Sequence, residues 1–261
     1  MPIHPTAVVD PAARIESDVS IGAYSVVGAG VTLAAGVRVG THVVIDGRTT
    51  IGAGSEIHPF AVVGGQPGHL RDAGEGTELV LGARVSVREG VSLHRGTQVG
   101  GGRTSIGDDC TFLASSHVGH DCQLGNGIVM TNGAFLGGHV VVGDFAVLGG
   151  GSVVHQHCRL GTMVMVEGNC GVPLDIPPYC LTGGHRARLV GLNEIGLRRR
   201  GVAPEAVKAL REVYRLLLRS DLARPEALAL ARSDFGATPE CARFIDFFAS
   251  SKRGVARHGR E

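Results

Sequence analysis

Apolar positions recur along this chain every six residues. From Ile3 the beat runs through Val9, Ile15, Ile21, Val27 and Leu33 to Val63. It resumes at Leu81, Val87 and Leu93, and again from Ile106 through Phe112, Val118 and Leu124 to Val172. Four residues after each of these markers comes a second small or β-branched residue, as at Val19, Val31, Val37, Val43 and Thr49. A period of six is neither the 3.6 of a helix nor the 2 of a strand. It is the repeat of a parallel β-helix, in which each hexad supplies one short strand and one corner. The marker and the residue four later then face the interior. Three hexads to a triangular coil bring equivalent positions round every eighteen residues, on strands about 4.8 Å apart. Glycine often follows the marker, as at Gly22, Gly28, Gly40 and Gly52, and is read as relief of backbone strain at the corner. The pattern carries no handedness, and the general rule for crossovers favours right-handed connections.

The beat breaks twice. Val63 and Leu81 are one coil length apart, but the filling GGQPGHLRDAGEGTE is polar and reads as an excursion that replaces regular wall. Leu93 to Ile106 is one residue longer than two hexads, so HRGTQVGGGRTS should bulge. Excursions at about 64–78 and 94–105 are expected to border a binding face. After residue 173 the beat ends, and Asp175-Ile-Pro-Pro-Tyr179 reads as a stop because proline cannot extend a ladder. A helical face follows within PEAVKALREVYRLLLR at 204–219, carried by Val207, Leu210, Tyr214, Leu217 and Leu218. Pro204 suits its first turn. A second helix is expected near Pro225. A third should follow Thr238 as N-cap and bury Phe244, Phe247 and Phe248, with the tail RGVARHGRE frayed. The expected division is therefore mainly β: a parallel β-helix of hexapeptide repeats over 1–188, then an α-helical bundle over 189–261 that caps its open end.

Composition sharpens this outline. Glycine is abundant at 41 residues, tryptophan is absent and aromatics make up 4%, as a tight repeat requires. A net charge of +1 gives no electrostatic case for nucleic acid. No apolar run is long enough to span a bilayer, and MPIHPTAVVDPAARI lacks the basic-then-apolar order of a signal peptide. A cytoplasmic protein without stable membrane insertion is expected. Cys110, Cys122, Cys158 and Cys170 each sit four after a marker and should be small interior residues. The absence of any CxxC pair speaks against a zinc or disulfide framework.

Chemistry concentrates in SSHVGHDC at 115–122. The hexad opening at Val118 turns Val118 and Cys122 inward and leaves His120 and Asp121 at a corner. Eighteen-residue steps stack His120, Gly138 and Gln156 in one column and Asp121, His139 and His157 in the next, with His155 beside them. Such a ridge suits a histidine general base with an orienting carboxylate. It also suits a metal, since imidazole is a common zinc ligand, or plain surface histidines. The carbonic anhydrases built on the same repeat use two histidines separated by four residues; His117 and His120 have two between them, and no metal site is expected.

A set of stretches then carries a family likeness: HRGT at 94–97, GGG at 100–102, HVGHDC at 117–122, LGGHV at 136–140, VHQ at 154–156, DIPPY at 175–179 and GLNEIGLRRRG at 191–201. Together they resemble the UDP-N-acetylglucosamine O-acyltransferases, which open lipid A biosynthesis, over almost the whole chain. The resemblance implies a left-handed β-helix and a homotrimer with sites between neighbouring prisms. It implies transfer of a 3-hydroxyacyl chain from acyl carrier protein to the 3-hydroxyl of UDP-N-acetylglucosamine. No metal or organic cofactor is implied beyond the carrier's own phosphopantetheine. By the same likeness His120 is the base, Asp121 orients it, and the Gly138 N–H meets the oxyanion. His117 and His139 contact the sugar, and His155 and Gln156 the nucleotide sugar or the acyl arm. Asn193, Arg199 and Arg200 hold the uridine diphosphate, as guanidinium forks suit phosphate. Gly168 falls in the acyl-chain pocket. The chain departs from the family at Gly68-His69-Leu70-Arg71, where Gln-Asp-Leu-Lys is common; Arg71 keeps the charge and is carried over as a substrate contact. Glu167 replaces a usual glycine, and Asn193-Glu194-Ile195 shifts an acid by one place. The altered loop at 68–71 leaves open a 3-amino sugar nucleotide as acceptor. A non-catalytic solenoid that binds carrier protein is the alternative of a different class.

Overall fold

The markers point inward. In a computed structural model, which describes residues 3–71 and 76–259, every marker from Ile21 to Val172 is buried. So are their partners four residues on, among them Val37, Val43, Cys122 and Val140. Strands mostly two residues long assemble into three sheets of nine, eight and ten strands, and up to Val172 the pairing is parallel and each sheet takes every third strand of the chain. The result is a three-faced left-handed β-helix closed by four C-terminal helices. On the first face His117 pairs with Phe135 and Phe135 with Val153, the eighteen-residue step. The second face continues at Gln123, Val141 and Arg159, and the third at Val129, Val147 and Met165. The interior is a column mainly of aliphatic side chains, with serine, threonine and cysteine at some inward positions and Phe112 as its largest member on these coils. All six cysteines are free and buried, and burial pushes the Cys122 thiol up to about 12.

The corner glycines have a different role from the one expected. Left-handed backbone falls three residues after the marker, and many of the residues there are not glycine: Asp18, Tyr24, His42, Asp121, His139 and His157 all have φ between 57° and 64°. Glycine one after the marker is required by close approach of the next coil. A Cβ on Gly22 would run into the backbone of Gly40 and Thr41.

Both excursions are insertions at a corner and replace no wall. Val63 pairs with Leu93 and Leu93 with Val118, so these two coils hold thirty and twenty-five residues against the regular eighteen. The extra chain leaves after Gly65 and after His94, each time between the first and second faces. His120–Asp121, Gly138–His139 and Gln156–His157 lie at that same corner. Residues 72–75 of the first excursion lie outside the described residues.

The prolines at 177–178 do not end the sheet. Cys180–Gly183 adds to the third face through Leu181 and Met165, and Arg188–Leu192 turns back antiparallel upon it, four residues past the expected boundary. Helices α1 (Glu194–Arg199), α2 (Pro204–Arg219), α3 (Arg224–Phe235) and α4 (Pro239–Ser250) follow. Helix α1 was not foreseen, since six residues are too few for a periodic face. Thr238 stands at the α4 N-cap position but its side chain makes no capping hydrogen bond. Phe244 and Phe248 are buried, and Phe247 is half-buried beneath the Arg159 guanidinium. The tail is docked through Gly259: Val255 bridges Asp175, His258 bridges Leu189, and His258 Nδ1 lies 2.9 Å from the Tyr214 hydroxyl. Among the described residues no helix is long and apolar enough to cross a membrane.

Candidate active site

The corner between the first and second faces carries the chemistry. Each hexad turns its fifth and first residues inward, so the two residues before Cys122 must project at the corner. His120 is 9% exposed and Asp121 5%. His120 Nδ1 lies 2.8 Å from Asp121 Oδ2. The Asp121 carboxylate also accepts from the Thr97 backbone N–H at 2.9 Å and from the Thr97 hydroxyl at 2.7 Å. Its own N–H donates to Thr104 Oγ1 at 2.8 Å. Burial alone would raise this carboxyl, but the Thr97 hydroxyl, the His120 ring and the Thr97 N–H outweigh it and hold Asp121 below the usual range. An ionised Asp121 fixes the proton of His120 on Nδ1 and leaves the Nε2 lone pair open.

The second excursion seals this pair. Its Gly100 backbone passes so close to Asp121 and His139 that a Cβ there would strike both. Beneath the imidazole lies Gly138, where a Cβ would sit 2.5 Å from His120 Cε1 and 2.6 Å from Nε2. Glycine at 138 is therefore the condition for the ring's placement. Gly137 and His139 donate their N–H groups into the coil ladder, to Val154 and His120. Among the described residues the Gly138 N–H has no such acceptor.

His120, His117, Gly138, His155 and Gln156 line one cleft of about 490 Å³, together with Gly68 of the first excursion. His117 Nδ1 is 2.8 Å from the Ser92 hydroxyl, and its ring meets that of His94 edge-on at 4.7 Å. Burial, reinforced by His94, pushes His117 down to about 4, so it stays neutral at pH 7. His155 Nδ1 lies 2.8 Å from a guanidinium nitrogen of Arg253. His139 does not line the cleft. It faces Asp121, with Nε2 at 3.7 Å from Oδ2, and stacks on His157 at 4.4 Å; burial lowers it. The ligand atoms of His120, Asp121 and His139 lie within 4.8 Å of one another, and these three are the described residues able to hold a cation at this corner.

Other expected residues stand apart. Arg71 is exposed on the first excursion, and what it offers locally is its backbone N–H, which donates to His69 Nδ1 at 3.2 Å. Asn193 caps α1 by accepting from Gly196 N at 3.0 Å and ties it to the coil by donating to Met163 O at 3.0 Å. Arg200 lies over the Phe145 ring at 3.7 Å, and Arg199 is exposed beside it. Met163 and Phe145 belong to the corner between the second and third faces, so one chain does not bring this group to His120. Gly168 lies at the third corner, against the Gly150 carbonyl. Its neighbour Glu167 accepts from Gly184 N at 3.1 Å and lines a separate cavity of about 480 Å³ with Met165, Leu181 and Val190.

Three contributors escaped the sequence reading. Thr97 sits in HRGT at an inward position, but its bond to Asp121 depends on the insertion arithmetic. Arg253 arrives from a tail expected to fray. His69, noted only as a departure, sets its ring edge-on to His120 at 5.3 Å.

A family model described as UDP N-acetylglucosamine O-acyltransferase, domain 2, matches residues 175–256. The chain is 44% identical over 257 residues to the acyl-[acyl-carrier-protein]–UDP-N-acetylglucosamine O-acyltransferase of Anaeromyxobacter sp. (strain Fw109-5), covering 98% of this chain and 100% of that one. It is 39% identical to the enzyme of the same description from Thermodesulfovibrio yellowstonii, covering 98% and 99%. Among solved structures it resembles the UDP-N-acetylglucosamine O-acyltransferase of Moraxella catarrhalis RH4, with a TM-score of 0.96 and 38% identity over 98% of this chain and 100% of that one.

Proposed function

The chain belongs to the UDP-N-acetylglucosamine O-acyltransferase family, and from that premise we propose how its geometry performs the transfer. The acyl group passes from acyl carrier protein to UDP-N-acetylglucosamine, the first step of lipid A biosynthesis. In our reading a 3-hydroxyacyl chain goes to the sugar 3-hydroxyl, in the cytoplasm. A hydroxyl is a weak nucleophile at neutral pH, so its proton must leave as it attacks. His120 Nε2 takes that proton, and the oxygen adds to the thioester carbonyl. The Gly138 N–H stabilises the oxyanion. The C–S bond then breaks, and the proton on His120 passes to the departing pantetheine sulfur. Asp121 orients the ring and balances the transient imidazolium. Neutral His117, together with His155 and Gln156, positions sugar and acyl arm, and His139 supports Asp121 from behind. No metal and no organic cofactor enters these steps beyond the donor's phosphopantetheine.

Arg199 and Arg200, the cations expected to hold the diphosphate, do not line the cleft of a single chain. Asn193, Arg199 and Arg200 lie on another edge of the same prism, so a cyclic homotrimer that sets this edge against a neighbour's His120 corner would complete the site. Arg71 and Gly168 would bound the sugar and acyl ends.

One observation carries the reading: a buried, doubly hydrogen-bonded carboxylate 2.8 Å from the Nδ1 of a cleft histidine. His120→Ala should lower kcat by about 10³-fold while thermal unfolding is unchanged. Equal turnover by variant and parent would remove His120 from the role of base.

A further inference from the structure

The first excursion brings a second imidazole to the base. His69 Nδ1 accepts the Arg71 N–H at 3.2 Å, and His94 Nδ1 accepts the Gly68 N–H at 3.3 Å. These backbone donors fix the neutral tautomer of His69, because a nitrogen that accepts cannot carry the hydrogen. The proton of His69 therefore sits on Nε2. Among the described residues that Nε2–H has no hydrogen-bond partner. The His69 ring stands edge-on to His120, interplanar angle 82°, at 5.3 Å, and its neighbour Gly68 lines the cleft. The His69 ring beside His120 thus carries a fixed donor on Nε2, and His120, which lines the cleft, carries a fixed acceptor on its own Nε2.

We propose that His69 is a specificity-determining residue that donates its Nε2–H to the acceptor atom, and so admits an oxygen nucleophile and rejects a nitrogen one. The inference rests on the reading that a sugar hydroxyl enters this cleft. A hydroxyl oxygen has four positions: one bond to carbon, one hydrogen and two lone pairs. The hydrogen goes to His120 Nε2, one lone pair accepts from His69, and the other attacks the thioester. All four are matched. An amine at the same carbon has two hydrogens and one lone pair. One hydrogen goes to His120 and the lone pair attacks, so the second N–H must meet the His69 N–H. Two donors face each other with no acceptor between them, an arrangement that excludes the wrong ligand by leaving its polar group unpaired. A carboxylate at position 69 would reverse this, since it accepts from the second N–H.

The test compares UDP-N-acetylglucosamine with its 3-amino analogue, at a pH where the sugar amine is neutral, using acyl carrier protein as donor. The parent should favour the hydroxyl by at least about 100-fold in kcat/KM. His69→Asp should narrow that ratio at least tenfold by raising amine turnover. His69→Phe keeps a ring without a donor and should narrow it by lowering hydroxyl kcat alone. Neither should change KM for the acyl carrier protein or the unfolding temperature. Equal turnover of both acceptors by the parent, or an equal factor on both in the variants, overturns the assignment. If the parent does not acylate the hydroxyl acceptor at all, the proposed function itself fails and takes this inference with it.

Discussion

Gly138→Ala separates two roles that coincide at one residue. The substitution keeps the backbone N–H that would meet the oxyanion and adds a single methyl. That methyl would lie 2.5 Å from His120 Cε1, 2.6 Å from Nε2 and 3.0 Å from Nδ1, and these imidazole atoms are its three nearest neighbours. Ordinary contact begins at 3.4 Å, so relief requires about 0.9 Å of ring movement, the difference between 3.4 and 2.5. The ring cannot follow freely. Its Nδ1 is held at 2.8 Å by Asp121, and Asp121 is held at 2.9 and 2.7 Å by Thr97. Retreat stretches the bond that fixes the tautomer, or drags a buried carboxylate off its donors. A displacement of about 1 Å of a catalytic group costs about 10²-fold in rate, equivalent to about 2.7 kcal/mol of barrier. The assay is steady-state acyl transfer with both substrates varied, alongside thermal unfolding. We expect kcat to fall about 100-fold and KM for UDP-N-acetylglucosamine to move little, with any drop in melting temperature limited to the loosened Asp121 hydrogen bonds. Turnover within threefold of the parent would show that the ring has slack, and the account of glycine at 138 would be wrong.

Two further outcomes follow from the same geometry. Burial lowers His117 to about 4, so its imidazole should remain neutral in an NMR titration until the pH nears 4; a midpoint near the ordinary 6.5 would contradict its packing against Ser92 and His94. Because this folded pKa is depressed, the unfolded chain binds more protons between about 6.5 and 4; His117 therefore contributes stability at neutral pH that is lost on acidification through that window, and His117→Asn should flatten the slope of melting temperature against pH there. The proposed trimer predicts complementation: His120→Ala chains co-assembled with Arg199→Ala/Arg200→Ala chains, each inactive alone, should regain activity at about a quarter of the sites if the two assort at random around a cyclic interface. No recovery in verified mixed trimers would mean that each site draws on one chain.

What the sequence disclosed depended on whether a feature was periodic. The hexad beat gave the three-faced coil because burial of one aliphatic per strand is a local rule repeated without exception from Ile21 to Val172. The same arithmetic placed His120 above Gly138 and Asp121 beside His139, since those coils are regular eighteens. It failed where chain was inserted. Counting from Val63 to Leu81 as one coil hid the fact that the chain advances there by a single face, so nothing in the count placed Thr97 against Asp121 or His69 against His120. The glycines after the markers were assigned to strain when their reason is contact: at Gly22 and Gly52 a Cβ would strike the backbone of the next coil, while left-handed corners accept aspartate, tyrosine and histidine alike. Helix α1 and the docked tail were illegible for a related reason, being held by single tertiary bonds such as Asn193 to Met163 and Tyr214 to His258. The catalytic corner itself combines both kinds of information. Its regular coils supply the base, its carboxylate and the amide beneath it, and its two irregular insertions supply Thr97, which holds the carboxylate, and His69, which stands against the base. Regular spacing can therefore say that His120 meets Asp121 and Gly138, but the hold of Thr97 on that carboxylate and the tautomer of His69 are set by chain that has no period at all.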